Sequence, residues 1–424
     1  MRTGISRRQF LRTSVGSLAA VGLGVPGWSG CGSDDSGSVV GAETLAVTMW
    51  EFSWLVRRSG DEAEYADWDR VLDELALRGY NCIRLDAFPH LIARGPQGDL
   101  VERFTILPQT PLFFWGNHEP VEVEPRRSLL EFLGKVKARG MKVGLSTWFN
   151  DDTLHRAQAV VTPEDYARVW LETLDFLDEE GLHDIIAWVD LCNEFPLGKW
   201  AKGAYPVIFD GADPANLLPV LMPWSNEVRC RIQGYFDEAI PPLKSAYPEL
   251  RYTFSLAGGF VGHNVADIDT SNFDLAEVHI WLSDDPAFSL TSGQLFLLLE
   301  FPGTLELHVN KAPCLYFNDR DRWLGALEAN IQNWKDWADA RGLPLITSES
   351  WGPINYDDLD PPPGDEEWDW VKDVCAEGVR MAADRGWEGI CTSNFCQPHF
   401  EGMWADIAWH QNLTSLIRVD SFSP

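Results

Sequence analysis

The chain has 424 residues, a formal net charge of −30 and 45% apolar residues. That apolar share suffices for a globular core, and the length suits two ordinary domains or one large barrel. The acidic balance excludes nucleic acid as a partner, because phosphate contacts need clustered Lys and Arg.

Ser6-Arg7-Arg8-Gln9-Phe10-Leu11 resembles a twin-arginine export signal. The uncharged stretch from Thr13 to Trp28 is interrupted by Gly and closed by Pro26, which makes it a poor spanning helix. Trp28-Ser29-Gly30-Cys31 resembles a lipobox, with Cys31 as the lipidated residue and Trp28 departing from the usual aliphatic one. Residues 1–30 are therefore expected to be an export signal, 31–43 a tether and 44–424 the folded body. The expected location is the periplasm or cell surface, with membrane contact only through the lipid. None of the remaining cysteines or the His residues has metal-site or redox spacing, so no metal or cofactor is expected. Obligatory disulfides are not expected either, since the twin-arginine route resembles export of folded proteins.

Eight strand–helix units follow in order. The strands are expected near 44–52, 81–86, 142–148, 185–193, 251–256, 275–281, 344–349 and 388–395. The helices are expected near 61–78, 127–139, 163–180, 225–246, 263–270 (short), 319–340, 366–385 and 406–418. Four helix-to-strand joints share one form: Arg78-Gly79, Arg139-Gly140, Arg341-Gly342 and Arg385-Gly386. Gly suits a left-handed C-cap, and Arg favours the negative helix end. Thr162, Pro163 and Asp165 mark a clear helix start. Apolar strands alternating with helices argue a parallel sheet. Eight repeats fit a (β/α)8 TIM barrel, one domain with long βα loops. A doubly wound sheet is the alternative, disfavoured because no Gly-rich phosphate loop follows a strand. Long loops at 87–126, 195–223 and 282–318 all follow strands and crowd the same face.

Two glutamates end apolar strand runs: Glu194 in Trp188-Val-Asp-Leu-Cys-Asn-Glu194, and Glu349 in Leu345-Ile-Thr-Ser-Glu349. Both fall on the strand-end face where barrel enzymes gather catalytic groups. Paired carboxylates there suit glycoside hydrolysis, one acid protonating the leaving oxygen and one meeting the developing positive charge. The Trp count of 20 fits this reading, because indoles stack on the flat faces of sugar rings. Trp50, Trp54, Trp148 and Trp351 lie at strand ends and are the platform candidates.

Asn193-Glu194 after the fourth strand and Glu349 after the seventh resemble the clan A glycoside hydrolases, especially cellulase-like members of glycoside hydrolase family 5. The resemblance implies that Glu194 is the acid/base, Glu349 the nucleophile, and Asn193 the partner of the sugar 2-hydroxyl. It implies Arg84 as the residue that holds the nucleophile. His279 matches the first half of a family His-x-Tyr pattern, with Trp281 in place of the Tyr. The third strand lacks the His often found there. Asn394 stands where cellulases often carry a Trp platform. The activity implied is a retaining β-glycosidase on a β-linked oligo- or polysaccharide, without metal or cofactor. A sugar-binding barrel that does not cut, and a transglycosylase with the same acids, are the alternatives. The partner in each case is a carbohydrate.

Overall fold

The structure, a computed structural model, describes residues 43–60, 63–108, 116–298, 303–352 and 368–418. The expected export signal, Cys31 and nearly all of the tether lie outside these residues, as does the stretch just after Gly352. The strands are β1 (Leu45–Glu51), β2 (Cys82–Asp86), β3 (Lys142–Ser146) and β4 (Ile186–Asp190). They continue as β5 in two pieces (Tyr252–Thr253 and Leu256–Ala257), β6 (Ala276–Trp281), β7 (Leu345–Thr347) and β8 (Gly389–Cys391). Every neighbouring pair is parallel, and β8 returns to β1. The first piece of β5 bonds β4 and the second bonds β6, so the circuit closes through a strand that changes partners midway. This is the expected (β/α)8 barrel. Closure removes the exposed edges that an open sheet would have to protect.

The surrounding helices are α1 (Trp68–Leu77), α2 (Pro125–Ala138), α3 (Pro163–Asp178), α4 (Asn226–Ala246) and α5 (Gly258–Val261). They are completed by α6 (Arg320–Asp339), α7 (Asp369–Ala383) and α8 (Ile407–Arg418). The capping box at Thr162 and Asp165 forms as expected, each side chain bonding the other's backbone N–H. Gly79 and Gly342 end their helices at φ +85° and +65°, conformations that glycine adopts without strain. Two expectations shift. α1 begins at Trp68 rather than near 61, because the Asp67 carboxylate accepts from the Arg70 N–H at 3.1 Å and caps the helix there. α5 is a single turn that starts at Gly258, earlier than expected. A Cβ at Gly258 would lie 2.8 Å from the His279 carbonyl oxygen, so the turn sits directly on β6.

The long loops carry structure of their own. The first holds an antiparallel pair, Phe104–Ile106 with Val121–Val123. The second holds short helices at Tyr205–Ile208 and Leu218–Leu221. The third holds helices at Pro286–Ser292, Gln294–Leu298 and Thr304–Asn318.

Side-chain parity divides the barrel interior into layers. Leu45, Val47, Cys82, Trp188, Leu275 and Ile346 form a buried apolar cluster of their own. Two residues further along β2, β4 and β6 come Arg84, Asp190 and Glu277, all 0% exposed. Such charges are tolerated only when paired, and the pairing here builds the site above. Gly144 on β3 makes room for the Trp188 indole, since a Cβ there would lie 2.1 Å from the ring. Gly144→Ala is therefore expected to destabilise the barrel by about 1–3 kcal/mol through overpacking. A lowered midpoint in urea unfolding, with the slope unchanged, checks this.

Candidate active site

Glu194 and Glu349 converge. Together with His279 they place one oxygen or nitrogen atom each within 4.8 Å of one another. Their side chains are 14% and 9% exposed, so both are largely buried yet reach the surface. Glu194 follows β4 in a left-handed backbone conformation, φ +47°. Non-glycine residues hold such conformations only where their surroundings enforce them. Here Ser255, at the break in β5, does so: its hydroxyl accepts from the Glu194 N–H at 2.8 Å, and its carbonyl accepts from the Phe195 N–H at 3.0 Å. Glu349 sits between β7 and Ser350–Trp351, a short strand that pairs with Ile280–Trp281 of β6. Its position is thus fixed from both sides.

Arg84 holds the nucleophile candidate. Its Nη1 donates to Glu349 Oε1 at 2.6 Å, and its Nη2 donates to Asp190 Oδ2 and Asn193 Oδ1, both at 2.7 Å. Its Nε lies 3.0 Å from Glu277 Oε1, and its guanidinium lies over the Trp148 ring at 4.5 Å. His279 serves the other acid: its Nδ1 lies 3.2 Å from Glu194 Oε1 and 3.9 Å from Glu349 Oε2. Trp200 donates its indole N–H to Glu194 Oε2 at 3.3 Å.

The charges are coupled. Burial pushes the Glu349 carboxyl up, and the nearby His279 and Arg84 cations only partly offset it. Burial also acts on Glu194, but the bond from His279 more than cancels it and holds that carboxyl below the usual range. Burial disfavours the imidazolium of His279, yet Glu349, Glu194 and Glu277 raise it to about 9. The imidazolium therefore persists at neutral pH with its proton directed at Glu194. Because the folded value lies above the ordinary 6.5, this stabilisation is complete below about pH 6.5 and is lost as the pH rises through about 9. The difference in Tm between wild type and His279→Asn is expected to shrink between pH 7 and pH 10.

The remaining sequence candidates separate. Asn193 is buried beside Glu194, with Nδ2 unpartnered among the described residues. Asn394 is fully buried after β8; its backbone N–H bonds the Ser350 carbonyl, and both amide atoms lack a partner among the described residues. Trp281 is half-buried at the end of β6. Trp148 lies beneath Arg84, 3% exposed. Trp50, Trp54 and Trp351 are 0% exposed, so the structure places them in the core instead of on a ligand wall. Trp50 packs on Tyr65, Phe132 and Trp404. Trp54 packs on Trp68 and Phe132. Trp351 packs beside Trp387 and against Gly378 of α7.

Residues 47–418 match the family described as "Cellulase-like: Sugar-binding cellulase-like". The chain belongs to that family. Among solved structures it is similar to a Parabacteroides distasonis ATCC 8503 protein named as a "putative glycoside hydrolase". The identity is 35% over 89% of this chain and 94% of that one, with a TM-score of 0.77. More distant similarity extends to a glycoside hydrolase family 5 mannosidase from Rhizomucor miehei, at 11% identity over 89% and 95% of the two chains and TM-score 0.48. It extends also to a GH5-4 broad-specificity endoglucanase from Clostridium longisporum, at 10% identity over 87% and 97% and TM-score 0.48. A comparison with curated proteins gives no match.

Several residues of this sugar-binding cellulase-like site were not singled out from sequence. Asp190 and Glu277 carry a readable signal, an acid inside an apolar strand at the same parity as Arg84 or His279. Ser255 and Trp200 carry none. Glu51, at the end of β1, is a third buried acid. It accepts from the Ser53 N–H and hydroxyl and from Gln397 Nε2, the last at 2.5 Å. Burial pushes its carboxyl up to about 8.

Proposed function

We propose that this protein is a glycoside hydrolase that cleaves a β-linked oligo- or polysaccharide with retention of anomeric configuration. The observation that carries the reading is the convergence of Glu194, His279 and Glu349 within 4.8 Å. Retaining enzymes hold their carboxyls about 5–5.5 Å apart, whereas inverting ones need about 6.5–9.5 Å to admit a water. One oxygen of Glu194 and one of Glu349 lie within 4.8 Å of each other, which places the pair on the close side of this division.

In this mechanism Glu349, oriented by Arg84, attacks the anomeric carbon. The bond to the leaving oxygen breaks, and that oxygen takes a proton from Glu194. The result is a glycosyl ester on Glu349. Water then attacks the same carbon, gives its proton to Glu194 and releases the carboxylate. The proton at issue is shared between Glu194 and His279, which lie one hydrogen bond apart. The Arg84 bond fixes the direction of Glu349 and favours its ionised form, against the burial that pushes this carboxyl up; in the free site His279 holds Glu194 low against burial, so the two directions run opposite to the assigned roles. The Nδ2 of Asn193 and the amide of Asn394, without partners among the described residues, suit hydroxyl groups of a bound sugar.

A panel of aryl β-glycosides and β-linked polysaccharides, followed by NMR of the first-formed anomer, tests the reading. Release of the β-anomer supports it, and release of the α-anomer refutes retention. The family description favours one rival, a protein that holds a sugar without cutting it. Saturable binding of an oligosaccharide with no product over long incubation would establish that rival.

A further inference from the structure

The two arms that hold the catalytic glutamates meet on one buried side chain. Arg84 Nε lies 3.0 Å from Glu277 Oε1, and Arg84 Nη1 donates to Glu349. On the other side His279 Nε2 lies 3.7 Å from the same Glu277 oxygen, and His279 Nδ1 lies 3.2 Å from Glu194. Glu277 is 0% exposed and is itself held from below and beside. The Trp188 indole N–H donates to its Oε2 at 2.7 Å, and the Ser348 hydroxyl donates to its Oε1. Ser348 directly precedes Glu349, and its hydroxyl lies 3.4 Å from His279 Nε2.

We propose that Glu277 is a positioning residue: a single buried carboxylate that anchors both Arg84 and His279 and so sets how protons divide between Glu349 and Glu194. The proposal rests on the glycosidase reading for the roles of the two acids. Without Glu277, His279 loses the negative charge 3.7 Å from Nε2, and the Ser348 hydroxyl that meets Nε2 at 3.4 Å loses the carboxylate that orients it. Arg84 keeps Asp190 and Glu349 but loses the carboxylate 3.0 Å from its Nε, so its buried charge is paired with two acids instead of three. Asp190 binds Nη2 from the β4 side, and among the described residues no hydrogen bond or ion pair joins it to His279.

The charged and titratable groups that face Glu277 are few. Arg84 and the Cys82 thiol come from β2, Asp190 from β4 and His279 from its own strand, while Ser348, which bonds Glu277, directly precedes Glu349. Arg84, followed by His279, holds the Glu277 carboxyl low against its burial. Removing its negative charge lowers the affinity of every neighbour for protons. Both His279 and Glu349 therefore shift toward acid, and the two limbs of a pH–rate profile move in the same direction.

The test uses the full chain and compares wild type with Glu277→Gln and Glu277→Asp. Melting and circular dichroism establish that each variant is folded. Glu277→Gln is expected to move both limbs of kcat/KM against pH by about one unit toward acid, with the larger loss in kcat rather than KM. Glu277→Asp, which keeps the charge on a shorter stem, is expected to restore part of that shift. Independently, the ¹⁵N resonances of the His279 imidazole report its titration without turnover. The midpoint is expected to be lower in the Gln variant than in wild type. Folded variants with unmoved limbs and an unmoved His279 titration would overturn the proposal. If Glu277→Gln does not fold, Glu277→Met, which also removes the charge, takes its place, and an unmoved His279 midpoint there does the same. If wild type cleaves no glycoside, the functional reading fails, while the NMR titration still decides the link between Glu277 and His279.

Discussion

Glu349→Ala is expected to lose at least about 10³-fold in kcat/KM on an aryl β-glycoside, the scale seen when an attacking group is removed. The backbone should tolerate the change, since Glu349 is held by β7 on one side and by the Ser350–Trp351 pairing on the other. Azide separates loss of the attacking group from general damage. It fits the space left by the carboxylate and needs no activation by a base. Azide is expected to restore part of the turnover and to yield a glycosyl azide of inverted configuration. The matched variant Glu194→Ala is expected to give the opposite anomer of azide product, and only with substrates whose leaving group departs unaided. Equal rates for Glu349→Ala and wild type would remove the nucleophile from the scheme.

Arg84→Met should produce the largest loss of stability. Arg84 is the shared cation of Glu349, Asp190 and Glu277, and the latter two are completely buried with it. Breaking a buried pair by deleting one partner costs about 3–5 kcal/mol, because the other charge is left behind. A fall in Tm of roughly 5–10 °C is expected for a chain of this size. The pH dependence has a definite sign. Carboxylates left without their cation have folded-state pKa values above those of the unfolded chain, so the deficit grows as the pH rises through them. The loss in Tm should thus be greater at pH 8 than at pH 5. A pH-independent loss would mean that the stem of Arg84, and not its charge, supports the barrel.

The barrel and the acid pair were legible for related reasons. Apolar strands alternate with helices eight times, four of the helix-to-strand joints read Arg–Gly, and both glutamates stand at the ends of such strands. Arg84 and His279 were legible because a charge inside an apolar strand demands a function or a partner. The same reasoning applies to Asp190 and Glu277, whose parity matches Arg84 and His279, yet the strand-end criterion alone passes over them. That criterion also misdirects for tryptophan. In β1, Leu45 and Val47 point into the barrel, so Trp50 has the opposite parity and faces the helices. Trp351 likewise turns toward α7. Parity would have separated these from Trp148, which shares the inward side with Gly144. Trp200 and Ser255 were out of reach, because their contacts to Glu194 depend on how a long loop folds back and on where β5 breaks.

The burial of Trp50, Trp54 and Trp351 bears on how ligand binding can be followed spectroscopically. Their emission originates far from solvent and reports unfolding, whereas a docking sugar alters chiefly the indoles near Glu194 and the end of β6. Intrinsic fluorescence of the intact chain will therefore respond weakly to saccharide against a large constant background. Quenching by acrylamide, or variants that keep only Trp200 and Trp281, would bring occupation of the site into view.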